Sequence, residues 1–110
     1  MNYQIKTKEF MHQIQFIENL SKSDVQDAQW VCKYLAYASV KSLYENSHAL
    51  LEGLKFGHVM SENLFLFRMR FVFGVTTKMR IAFGAKQYEI KKLVNLGHKN
   101  RILQIIALEI

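Results

Sequence analysis

The chain has 110 residues, half of them hydrophobic and 22% charged, which excludes disorder and sets the size of one domain, 1–110. The net charge of +6 is unevenly held: residues 63–110 carry nine Lys and Arg against Glu89 and Glu109, while residues 1–62 carry six against seven acids. No apolar run reaches the roughly eighteen residues that span a bilayer, and the opening "MNYQIKTKEF" lacks the apolar core of a signal peptide, so no membrane partner is expected.

"EFMHQIQFI" (9–17) alternates, with Phe10, His12, Ile14 and Phe16 on one side, and reads as a half-buried strand. The polar stretch 18–29 reads as a loop. "WVCKYLAYASVKSL" (30–43) is rich in aromatic and β-branched residues and reads as one strand or two strand segments. Within 44–56, Leu50, Leu51 and Leu54 cluster at helical spacing. Asn46 or Ser47 suits the start of that helix and Gly57 its end.

"NLFLFRMRFVFGV" (63–75) has strict period two. Phe65, Phe67, Met69, Phe71 and Phe73 share one face, while Arg68 and Arg70 share the other. "KMRIAF" continues with Met79, Ile81 and Phe83 inward and Arg80 outward. "GAK" (84–86) reads as a hairpin loop, and "QYEIKKLV" returns. The last stretch, 90–110, contains the turn-forming run "NLGHKN" followed by the β-branched "RILQIIALEI", which favours strand, turn and strand over a helix broken at Gly97. Short antiparallel strands with one helix in a long connection predict a mainly β fold. Closure into a small antiparallel β-barrel would remove exposed strand edges. Phe67, Met69, Phe71, Ile81, Phe83, Tyr88 and Ile90 are the expected core.

Chemistry is sparse. His12, His48, His58 and His98 show no metal-ligand spacing with one another or with Cys32, so no metal site is expected. The five glycines are scattered and form no phosphate-binding loop, and no cofactor is expected. Nothing marks a catalytic set, so the chain reads as a non-enzyme. Cys32 reads as an inert core or sheet cysteine, and a lone cysteine fits a reducing cytoplasm. Phenylalanines beside arginines suggest a base-stacking platform, the mark of a monomeric nucleic-acid-binding barrel. The two sets lie on opposite strand faces, however, so core packing is the better reading.

The stretch 68–109 resembles the signature half of the tailed-phage head–tail joining proteins, also called head-tail adaptor, head-closure or stopper proteins. The resemblance is carried by Arg68, Arg70, Gly74-Val75-Thr76, Met79-Arg80-Ile81, Tyr88, Ile90, Asn95, Gly97, Asn100-Arg101 and Leu103. "HQIQFIE" (12–18), Trp30, "AYASVKSL" (36–43) and the 45–51 segment match more loosely, and the departures concentrate in 42–62.

The resemblance implies a structural role. Such proteins are small β-barrels that form a ring beneath the portal of a DNA-filled capsid, help retain the genome and offer a docking surface to the tail. The implied partners are portal or adaptor ring proteins, tail proteins, further copies of the chain, and the packaged DNA passing through the channel. The implied places are the virion neck and, during assembly, the cytoplasm of the host bacterium. An element within 43–62 would line or plug the channel, with Leu50, Leu51 and Leu54 as its contact residues. Arg68, Arg70, Lys78 and Arg80 are the expected basic contact face, toward DNA or an acidic ring partner.

Overall fold

In the computed structural model, the residues described are 10–21, 29–43 and 63–110. They build six strands: β1 (His12–Asn19), β2 (Trp30–Ser42), β3 (Leu64–Arg70), β4 (Arg80–Phe83), β5 (Lys86–Asn95) and β6 (Ile102–Glu109). The strands close into a barrel in the order β1-β2-β3-β6-β5-β4, and every ladder is antiparallel. The expected small barrel is therefore present. The helix expected over 44–56 lies outside the described residues.

Alternation sets each strand's inner face. Phe16, Phe67, Met69, Ile81, Tyr88, Ile90, Leu103 and Ile105 enclose one buried core. Phe67 on β3 meets Tyr88 on β5, centroids 5.0 Å apart, and Phe83 at the end of β4, 6.4 Å apart. In the barrel order β4 lies opposite β3, so these edge-to-face rings cross the lumen and fill it. Leu43, Leu64 and Ile106 form a second buried cluster, joined by Leu66 and Leu108, on the outer side of β3 and β6.

Several boundaries differ from the sequence reading. β1 runs on to Asn19, into the stretch read as loop. β2 is a single strand of 13 residues with a bulge: Phe16 faces Tyr34 and Ile17 faces Cys32, leaving Lys33 as the extra residue. The β4–β5 turn is Gly84-Ala85 alone, with Lys86 already paired to Phe83. Gly84 has φ 62°, the left-handed first turn position of a two-residue hairpin. At the other end of β5 the chain turns through a short 3-10 segment, Leu96–His98, with Gly97, His98 and Asn100 all at positive φ. Asn95 secures that turn by accepting from the Asn100 N–H at 3.1 Å.

The 63–75 stretch requires the largest correction. β3 ends at Arg70, and the residue after it keeps one more bond in register with β6, the Phe71 N–H donating to the Arg101 carbonyl at 2.9 Å. Phe71 and Phe83 are half-buried against the core rather than sealed within it. Phe73, past the end of the strand, is 73% exposed and meets only the edge of Phe71 among the ring contacts of the described residues. A period-two pattern cannot hold a side chain inward once the backbone has left the sheet.

Candidate functional site

The four cations expected to share one face are divided by the barrel. Arg68 and Arg70 lie on β3, and Arg80 lies on β4 on the opposite side of the ring of strands. Arg68 is half-buried on the outer face between Ser39 of β2 and Gln104 of β6, and the Ser39 hydroxyl donates to its carbonyl at 3.5 Å. Burial of the Arg68 Nε corrects the expectation of a freely solvated guanidinium. Arg70 is exposed at the end of β3.

Arg80 is likewise not free. Its guanidinium carbon stands 4.3 Å from the centre of the Trp30 ring, and Nη1 donates to Gln87 Oε1 at 3.2 Å. Ile17, whose cross-strand neighbours are Arg80 and Cys32, is buried beside that stack. A cation seated on tryptophan stabilises the outer surface by about 0.5–1 kcal/mol at an exposed site. It also makes that ring a poor platform for a nucleic-acid base. Lys78 is exposed on the turn in which the Met79 N–H donates to the Thr76 carbonyl at 3.1 Å. The residues Leu50, Leu51 and Leu54 lie outside the described residues.

The structure instead groups residues that the sequence reading did not place together. Phe10, Leu35, Ala36, Tyr37, Met69, Arg70 and Val72 line an open groove of about 450 Å³ beside β2. Leu35 and Tyr37 sit on its outer face at 59% and 57% exposure. Further along β2, Glu18, Asn19, Lys33, Tyr34, Gly74, Thr76, Lys78 and Met79 line a more polar hollow. At the start of β6, whose Ile102 pairs with the groove residue Arg70, Leu96, Gly97, Lys99, Arg101 and Ile102 line a third, smaller hollow of about 200 Å³. One signal for the groove was available in the sequence. Outward positions Lys33, Leu35, Tyr37, Ser39 and Lys41 mix two large apolar residues into an otherwise polar face.

Among the described residues no group of three or more His, Cys, Asp or Glu side chains is placed to hold a metal. Cys32 is in the sheet but exposed, not in the core. Tyr88 has its phenol raised above the ordinary value, first by burial and then by the Glu109 carboxylate, against an opposing effect of Lys86. None of these groups is juxtaposed as nucleophile and base. No helix of the described residues is long and apolar enough to cross a membrane.

The described residues define a small closed β-barrel with a filled lumen and its chemistry on the outside. The solution structure of protein SF1141 from Shigella flexneri 2a has a similar fold, with a TM-score of 0.59 over 96% of each chain at 13% sequence identity. No protein-family model and no curated protein matches the chain.

Proposed function

We propose that the chain is a structural head–tail joining subunit of a tailed phage or prophage. It forms a ring below the portal, closes the DNA-filled capsid and offers the tail a docking surface. It acts without catalysis, in the virion neck and, during assembly, in the cytoplasm of the host bacterium. The supporting resemblance rests on residues of β3 to β6 and their connections.

The observation that carries the reading is the placement of unlike exposed surfaces on opposite flanks of a solid barrel. Leu35 and Tyr37 lie on β2, while Leu96 lies beside β5, which is opposite β2 in the strand order. A joining protein must hold more than one kind of neighbour at once, and a closed ring needs different patches on each subunit. Because the lumen is packed with rings, DNA would pass through the centre of the subunit ring and not through any one barrel. The reading also expects one short helix within 43–62, where Leu50, Leu51 and Leu54 would meet a neighbouring subunit or the portal-side ring.

The reading expects a portal gene beside this one, and the test is assembly with its product. Mixing the two should convert the chain to a ring-sized species by native mass spectrometry and electron microscopy. A chain that stays monomeric with the portal, yet binds DNA with a steep salt dependence, would instead support the monomeric nucleic-acid-binding barrel.

A further inference from the structure

β2 is longer than the partner on one of its sides. β1 pairs with it from Trp30 to Ala38, but β3 pairs only from Ala38 to Ser42. Among the described residues no strand pairs with the other edge of β2 from Trp30 to Tyr37. β3 parts from β2 after Met69 but stays with β6, through the Arg70–Ile102 pair and the bond from the Phe71 N–H to the Arg101 carbonyl. In an antiparallel ladder alternate residues turn their N–H and C=O groups to each side, so this edge presents a row of backbone donors and acceptors. The bulge at Lys33 interrupts the edge, which leaves Tyr34–Tyr37 as its regular part.

The surroundings of that edge define what suits it. The groove beside Leu35, Ala36 and Tyr37 is apolar and reaches Phe10, Met69 and Val72. Arg70 stands at the groove, while Lys33 and Lys78 stand at the polar hollow, where Glu18 is the one carboxylate among the described lining residues. Three cations against one acid favour a negatively charged occupant. The backbone edge requires an extended one. A second copy pairing through the same edge would bring Lys33 and Arg70 of both chains together, and each chain already carries +6.

We propose that the Tyr34–Tyr37 edge of β2 is a docking site for an extended acidic segment of a partner protein. The segment adds to the barrel as an extra strand, seats an apolar side chain in the groove, and sets carboxylates against Arg70, Lys33 and Lys78. The inference stands on the strand geometry and does not depend on the head–tail reading.

The test uses the full chain, isotopically labelled, and a capped six-residue peptide alternating glutamate with valine or isoleucine. The acidic peptide should shift the amide signals of Tyr34–Tyr37 and bind about tenfold more tightly than its lysine twin, with the preference shrinking in salt. N-methylation of every second peptide amide should weaken binding by about tenfold, while methylation of the alternate set should not. The exposed-site variant Leu35→Asp should weaken binding with an unchanged melting curve. No shift at Tyr34–Tyr37, equal binding of the lysine twin, or indifference to N-methylation would overturn the proposal. So would concentration-dependent shifts of the same amides in the free chain, which would assign the edge to a second copy.

Discussion

Phe67 stands where ring contacts from β3, β4 and β5 converge, whereas Phe71 lies at the margin of the same core. Phe67→Ala is expected to cost about 3–5 kcal/mol in denaturant unfolding, and Phe71→Ala clearly less, because its half-exposed site loses less buried surface and leaves no closed cavity. Gly74 combines two constraints: its φ is 95°, and a Cβ there would meet the Tyr34 hydroxyl oxygen. Gly74→Ala should therefore destabilise by roughly 1–3 kcal/mol. In the double variant with Tyr34→Phe, part of that loss should be recovered, since only the steric component is relieved. Strictly additive losses in that cycle would show that the contact carries no energy.

Tyr88 offers a pH signature. Its phenol is raised above the ordinary 10.0, so the folded chain holds that proton more tightly than the unfolded chain. The stability contributed this way is complete below the unfolded value and is lost as pH rises through the higher folded one. Wild-type stability should therefore fall above about pH 10, and Tyr88→Phe should flatten part of that fall relative to wild type.

At the scale of elements, turns and bulges decide what the strands present. Gly84 also has positive φ, but a Cβ there would meet nothing within 4 Å. Gly84→Ala is expected to cost about 1 kcal/mol from backbone strain alone, less than Gly74→Ala, and a thermal melt of both variants checks the order. The Lys33 bulge lets β2 keep Ala36 and Ala38 inward after Cys32 and Ile17 have come level on the other side of the irregularity. Period two was legible in β3 and β4 because their ladders carry no register shift, and in β6 because its ladder with β3 is regular even though the one with β5 shifts between Ile90 and Lys92. It failed at Phe73, which lies past the bond from the Phe71 N–H to the Arg101 carbonyl, while the apolar alternation continues in the sequence.

The whole barrel closes by pairing Phe16 with Ile81, residues distant in the chain. Such topology places folding in the millisecond-to-second range, and a stopped-flow refolding phase much faster than that would argue against barrel closure in the rate-limiting step. Surface charge acts at this scale too. Arg70 and Lys78 are exposed, so Arg70→Glu with Lys78→Glu should leave the unfolding midpoint nearly unchanged. If the flank they share with Lys33 serves in assembly, the same double variant should impair incorporation into particles. Normal infectious particles would remove that flank from the assembly role.

The sequence by itself determined the mainly β character, the terminal strand–turn–strand around Gly97 and most of the core. These follow from local alternation and turn chemistry, which reside in neighbouring residues. Tertiary structure alone decided that Arg68 and Arg80 sit on opposite sides of the barrel, because strand order is set by long-range pairing and not by spacing along the chain. It also decided that, among the described residues, β2 has no strand paired to its second edge from Trp30 to Tyr37. That edge depends on β3 parting from β2 after Met69 while it stays paired to β6, a strand that begins only at Ile102.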